Sequence, residues 1–493
     1  MKSFLRNRSA KDHLPASLIE ELNRLQAEFG RSACAKLLRQ ARGVARLLKW
    51  CRRGLARSHL VTVASTLRRA LGAQIGELRT LRFPVDVLAE FPHWRSGSRS
   101  DFKPKGTGAV LCPLGAWQAL KSLRFHLSLS SGTGHLVLSL IRDSLRQLDD
   151  GVRIVVGVEP KADMRLIRSL RREIGCGSLR VKFAPIESAT IYAQDNARAA
   201  RDTRGNPVLL VPRGFHPERG VAEDALVARE AQKALGMRVI RSRLYWQGGN
   251  ILRDEECCFI GVDTVAENIG RLGLTVEEVL QQFRAEFGTD IVMLGDLYRA
   301  KFSAARDGLA KSGQATYHID LDVALLGRSD SSRPPTALIA DPVQGLSLLP
   351  HVLAKRSLIS GHPIPPARAR ELIAAAYRRA ARRRNRILRL YRRQLEELDY
   401  RLVSVPDLRI EQKDNLFGAV NLDFSYCNVL AGLRRGRPAI YYLPWGIRGL
   451  DLAAEACFRR AGAQPVKVSS NGRIANALMQ LSAGLHCVCG PLP

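Results

Sequence analysis

A chain of 493 residues with 46% hydrophobic side chains can close a large core, which excludes a disordered polymer. Its formal charge of +31, from 77 Lys and Arg against 46 Asp and Glu, attracts nucleic acid, anionic lipid surfaces or acidic proteins without choosing among them. Ten cysteines without a Cys-x-x-Cys pair and an N-terminus without the apolar core of a signal peptide read as reduced thiols in a protein made in the cytoplasm. Signal-independent secretion would leave no trace in the sequence. No uncharged apolar run approaches the about eighteen residues of a spanning helix.

In chain order, residues 1–106 read as a basic helical region. Leu18, Ile19, Leu22, Leu25 and Phe29, then Leu37, Leu38, Val44, Leu47 and Leu48, recur near helical spacing, and Arg39, Arg42, Arg46, Lys49, Arg52 and Arg53 fill positions between them. About +14 of the excess charge lies in this fifth of the chain. Either a solvated helix face on the main domain or a surface for RNA, membrane or an acidic partner would look like this. The turn-rich Ser96-Gly-Ser-Arg-Ser-Asp-Phe-Lys-Pro-Lys-Gly-Thr-Gly108 marks the boundary, and residues 107–493 form the second domain.

There, short apolar runs alternate with helical patterns. Strands are expected at 109–112, 152–158 and 179–183, and helices at 134–148 and around 164–174. The same grammar recurs at 208–211, 237–244, 257–262, 291–294, 402–405 and 439–443. Repeated strand, helix and strand units make an α/β domain. Residues 365–400 interrupt it with Arg378, Arg379, Arg382, Arg383, Arg384, Arg386, Arg389, Arg392 and Arg393 behind an Ala-rich stretch, which reads as a long basic helical insertion. Tyr377 and Tyr391 would suit a nucleic-acid or lipid-headgroup face; a solvated or partner-facing helix fits the same pattern, and no nucleic-acid-binding motif is present.

The last eleven residues, Ala483-Gly-Leu-His-Cys-Val-Cys-Gly-Pro-Leu-Pro493, read as a buried strand that delivers one thiol, Cys487, to a site. On a strand, Cys489 would share the face of Cys487 and is its rival, while His486 would point away and be structural. His486, Cys487 and Cys489 are too tightly spaced for zinc and no second ligand pair follows, so no metal is expected. Four further segments carry polar chemistry: Tyr192-Ala-Gln-Asp-Asn196, Trp246-Gln-Gly-Gly-Asn-Ile-Leu252, Tyr317-His-Ile-Asp-Leu-Asp322 and Asn421-Leu-Asp-Phe-Ser-Tyr-Cys-Asn428. On a strand, His318 and Asp320 would lie on one face, with Asp322 extending the row.

The ordered set Gln194-Asp195, Gln247-Gly-Gly-Asn250, His318-Ile-Asp320 and Gly484-Leu-His-Cys487 resembles the guanidine-modifying, or pentein, superfamily of agmatine, arginine and peptidylarginine deiminases and amidinotransferases. The resemblance covers roughly residues 107–493 and implies five ββαβ units about a pseudo-fivefold axis, with the site at the centre. It implies Cys487 as nucleophile, His318 as acid and base, Asp195 and Asp320 as carboxylates gripping a guanidinium, and Gln194, Gln247, Gly249 and Asn250 as substrate-binding residues. It implies no cofactor, and a guanidino small molecule or protein arginine as substrate. Hydrolysis would give a ureido product through a covalent amidino-thioether, and an amine acceptor would make the same residues an amidinotransferase. Gln247 departs from the family, which commonly carries an acid there. That neutral amide also leaves open a non-catalytic module that binds arginine or nucleic acid. Asn196 stands where peptidylarginine deiminases place an acid tied to calcium, so no calcium dependence is expected.

Overall fold

The computed structural model describes residues 102–127, 134–158, 172, 180–185, 191–214, 236–297, 300, 313–330, 332–354, 367–412, 420–469, 472–480 and 483–492, all within the unit Ser98–Pro493. The basic region expected over 1–106 lies outside them as far as residue 101, and so does nearly all of the helix expected around 164–174.

Five separate sheets of three or four strands make up the described residues, and each repeats one motif. A first strand pairs antiparallel with a second, and the chain then crosses over to a third that runs parallel to the second. β1 (Ala109–Leu111) comes before the first unit, in which β2 (Ser122–Leu127) leads through α1 (Gly134–Gln147) to the parallel β3 (Arg153–Val158), with β4 (Val181–Pro185) added beyond. The second unit is β5 (Arg198–Asp202), β6 (Pro207–Val211) and β7 (Arg238–Arg241), with β1 on the free side of β5. The third is β8 (Ile251–Arg253) and β9 (Cys258–Gly261), then α2 (Val262–Leu272), α3 (Val276–Phe287) and β10 (Ile291–Leu294). In the fourth, β11 (Val323–Gly327) and β12 (Thr336–Asp341) are followed by α4 (Pro342–Ala354), α5 (Ala367–Glu396), β13 (Arg401–Gln412) and an added β14 (Val420–Ser425). The fifth is β15 (Leu430–Arg434), β16 (Arg437–Tyr442), α6 (Arg448–Arg460) and β17 (Gln464–Lys467). Finally α7 (Arg473–Gln480) and the single turn α8 (Leu485–Val488) lead to β18 (Cys489–Leu492). That strand returns to β2 in antiparallel register, Cys489 opposite Phe125 and Leu492 opposite Ser122, and is the first strand of the first unit.

The motif follows from local rules. Antiparallel neighbours need only a tight turn, whereas a parallel pair needs a long crossover, so α1 to α6 fall between the second and third strands of their units. Ile154 to Val158 of β3 are buried on both faces, as an unbroken apolar run requires. In α3, Val279, Phe283 and Phe287 recur at helical spacing and are buried; Thr275 and Glu278 form a capping box at its start, and Gly288 ends it at φ 64°.

The basic insertion forms the long helix α5, but its faces are divided differently from the sequence expectation. Tyr377 and Tyr391, expected to support a nucleic-acid or lipid face, are fully buried: Tyr377 Oη donates to the Asp407 carbonyl (2.7 Å), and Tyr391 Oη accepts the Ala315 N–H (3.2 Å). Arg384 is buried on the same side and joins Asp322 (2.7 Å) and Asp407. Arg378, Arg382, Arg386, Arg389 and Arg393 form an exposed stripe without aromatics between them. Among the described residues no helix is long and apolar enough to cross a membrane.

Replacing Arg384 by Met removes the cation that bridges two buried carboxylates and leaves only Arg409, 3.6 Å from Asp407, beside them among the described residues. The expected cost is about 3–5 kcal/mol, read as a lower urea midpoint, against less than about 0.5 kcal/mol for Arg389→Gln on the exposed stripe.

Candidate active site

A short polar segment precedes the first strand of every unit: Tyr192–Asn196 before β5, Gln247–Asn250 before β8, His318–Asp322 before β11, Ser425–Asn428 before β15 and Gly484–Val488 before β18. Each is hydrogen-bonded to the next, and the last to the first. Gln194 N–H donates to the Cys487 carbonyl (3.2 Å) and Gly248 N–H to the Asp195 carbonyl (3.2 Å). Ile319 N–H donates to Asn250 Oδ1 (3.2 Å), Ser425 Oγ to the Leu321 carbonyl (2.6 Å) and Cys487 N–H to Asn428 Oδ1 (3.1 Å). Residues nearly three hundred positions apart in sequence therefore share one site.

Two local expectations are corrected. Residues 483–493 are not one strand: Leu485–Val488 is a helical turn and β18 begins only at Cys489. Alternation therefore does not apply to His486, whose Nδ1 lies 2.7 Å from Asp320 Oδ2 inside the site. Likewise Ile319–Leu321 is a 3-10 turn rather than a strand, with His318 in extended conformation before it. Asp322 is turned to Thr316 Oγ1 (2.7 Å) and Arg384, a structural role as expected.

Asp195 and His318 face one another, Asp195 Oδ1 lying 3.8 Å from His318 Nδ1 and accepting the Gly249 N–H at 3.3 Å. His318 Nε2 contacts Gln247 Oε1, an acceptor, so Nε2 carries a proton. Burial pushes the Asp195 carboxyl up; His318 pulls it down and Asp320 raises it further. Burial, then the carboxylates of Asp320 and Asp195, holds the Cys487 thiol well above its usual range. Cys487 is 2% exposed and its Sγ receives a hydrogen bond from Asn428 Nδ2 (3.2 Å). No hydrogen bond joins Cys487 to His318 among the described residues; the two groups meet through the same carboxylates. Cys489 is pushed up to about 12 by burial alone, with no polar partner in reach, and belongs to the core.

Both glycines of Gln247-Gly-Gly-Asn250 are explained by close approach. A methyl on Gly248 would collide with the Gln194 carbonyl, and one on Gly249 would lie 2.5 Å from His318 Nδ1. Asn250 is bonded to its neighbours: Nδ2 donates to the Tyr317 carbonyl (3.1 Å), and Oδ1 accepts from Ile319 N–H and Gln314 Nε2 (2.9 Å), so it braces the His318 turn. Gln194 is buried with Nε2 unpaired, as are His318 Nδ1 and Asp320 Oδ1. Sequence reasoning missed His486 and Asn428. Their common signal is position, two or three residues before a first strand.

Gly249→Ala is expected to displace the imidazole and break its contact with Gln247, lowering stability by about 1–3 kcal/mol. The imidazole resonances of His318 in an NMR spectrum should shift, while a Gly151→Ala control, open to solvent on its Cβ side, should leave them in place.

No protein-family model and no curated protein matches the chain. Solved structures do. An X-ray structure assigned to an agmatine deiminase is 13% identical over 79% of this chain and 98% of its own, with a TM-score of 0.50. A Cys→Ser variant of the C. jejuni agmatine deiminase with substrate bound is 11% identical over 78% of this chain and 96% of its own, with a TM-score of 0.49. Identity this low speaks for the path of the chain alone: 79% of this chain shares the fold of the first of these structures.

Proposed function

We propose that this chain is a cysteine-dependent hydrolase of guanidino C–N bonds, a deiminase of arginine, an agmatine-like amine or protein arginine, with its five ββαβ units set about a pseudo-fivefold axis. The observation that carries the reading is the meeting of one thiol, one imidazole and two carboxylates from three of the five hydrogen-bonded segments. A guanidinium is planar, permanently cationic and rich in N–H donors, so two carboxylates grip it and fix its central carbon. Asp320 Oδ1, buried and unpaired, is an acceptor waiting for such a donor, because an unsatisfied buried polar atom costs about 1–3 kcal/mol.

In this reading Cys487 gives its thiol proton to His318 Nδ1, Sγ attacks the guanidino carbon and the C=N π electrons move to nitrogen, giving a tetrahedral adduct. His318 passes a proton from Nδ1, since Nε2–H is committed to Gln247, and ammonia leaves as the C–N bond breaks. The amidino-thioether remains. Water, losing its proton to His318, adds to the same carbon; collapse expels the Cys487 sulfur, which recovers a proton, and frees the ureido product. One water is consumed and one ammonia released.

The carboxylates that hold the cation also oppose the thiolate, so the substrate itself supplies the compensating charge. In the free protein the thiol is protonated near neutrality, and its thiolate fraction rises about tenfold per pH unit until the raised thiol titrates. Labelling of Cys487 by neutral iodoacetamide should climb with that slope past pH 9, whereas 2-chloroacetamidine, an amidinium electrophile, should label faster and with a shallower slope. Equal slopes would remove the role assigned to Asp195 and Asp320.

Incubation with arginine, agmatine and an arginine peptide, assayed for ureido product and ammonia, tests the reaction. Cys487→Ser should lose at least about a thousandfold of the rate. A Cys487→Ser protein as fast as its parent would end the proposal, and product amidinated on an added amine instead of hydrolysed would move it to amidinotransfer.

A further inference from the structure

The residue that touches the sulfur is neither the histidine nor a carboxylate. Asn428 presents both ends of its amide to Cys487: Oδ1 accepts the Cys487 N–H at 3.1 Å and Nδ2 donates to Sγ at 3.2 Å. The orientation is fixed by chemistry. A peptide N–H can only donate, so the amide atom facing it is oxygen, and the atom left for sulfur is the NH2 group. Bonding to the backbone and side chain of the same residue closes a small ring that holds the Cys487 side chain in one rotamer.

Asn428 is itself prepared for this. It is buried between the Ser425–Asn428 segment and the tail, and Val429 N–H closes a turn on the Cys427 carbonyl beside it. Gly484 faces the same amide, and a methyl there would strike Asn428 Oδ1. The pocket around the sulfur thus combines two carboxylates, which suit a cation and oppose a thiolate, with the Asn428 N–H donor, which favours one.

We propose that Asn428 is a catalytic residue of this site, a donor that fixes the Cys487 sulfur and stabilises its anionic form while Asp195 and Asp320 hold the cation. The role rests on Cys487 being the nucleophile of the proposed reaction. Its physical content, an N–H donor on a reactive sulfur, is measurable without any turnover. Shape alone would not serve: aspartate would keep the acceptor for the Cys487 N–H but set a third carboxylate against the sulfur.

The test is the pH profile of Cys487 alkylation by iodoacetamide in the full chain, resolved to the Cys487 peptide by mass spectrometry, for the parent, Asn428→Ala and Asn428→Asp. Loss of one hydrogen bond to a charged atom should move the Asn428→Ala profile up by about one pH unit, a roughly tenfold slower rate at fixed pH below it. Asn428→Asp, nearly isosteric, should move further, and decides the question if the alanine variant does not fold. With a guanidine that turns over, kcat should fall with KM nearly unchanged. A folded Asn428→Asp protein with the parent's alkylation profile overturns the proposal. If the profile shifts while no guanidine is turned over by the parent, the sulfur donor stands and the deiminase reading fails; turnover with an unmoved profile does the reverse.

Discussion

The return of β18 to β2 is the pairing on which the site depends. It is the last ladder in the chain, joining residues more than 360 positions apart, and it makes the first unit out of the two ends of the described fold. A terminus usually frays because little holds it. Here the backbone before β18 is tied twice more, by Gln194 to the Cys487 carbonyl and by Cys487 N–H to Asn428. These bonds are two members of the five-membered ring that fixes every polar segment against its neighbours. Once the ring closes, a sulfur at the end of the chain has the same positional precision as a side chain in its middle.

Inside that ring the electrostatics are in conflict. Burial and two carboxylates disfavour the Cys487 thiolate, and burial disfavours the Asp195 carboxylate as well. A site composed this way is at rest when its thiol is neutral, and a bound cation changes the balance. The polar atoms left unpaired, Gln194 Nε2, His318 Nδ1 and Asp320 Oδ1, lie in the same segments. Away from the segment ends, Arg384 bridges the buried carboxylates of Asp322 and Asp407, so charge meets opposite charge there.

That buried ion cluster also explains the inserted helix. A run of nine arginines looks uniform in sequence, yet the helical period sets Arg378, Arg382, Arg386, Arg389 and Arg393 toward solvent and turns Arg384 inward to anchor the turn that carries His318. The two tyrosines of the helix follow the inward side and pack in the core. Charge counting treats all nine alike; only the contact with Asp322 and Asp407 singles out Arg384.

The alternation of apolar runs and helical patterns determined part of the strand set: those expected at 109–112, 152–158, 208–211, 291–294 and 439–443 lie within a residue or two of β1, β3, β6, β10 and β16, because apolar runs of β-branched and aromatic residues favour burial in a sheet, whereas β2, β5, β8, β11, β12, β14, β15 and β17 were not expected. The order of the polar segments was legible through the family resemblance and not through the strands they precede, since β5, β8, β11 and β15 are short and were not among the expected runs. What the sequence did not contain was the local shape of those segments. The tail and the His318 segment are read as strands by periodicity, but each makes a helical turn, because hydrogen bonds to other segments override propensity over four residues. His486 and Asn428 therefore became visible only in the tertiary structure: which way a side chain points after a single turn is set by the partner waiting for it, Asp320 for one and Cys487 for the other.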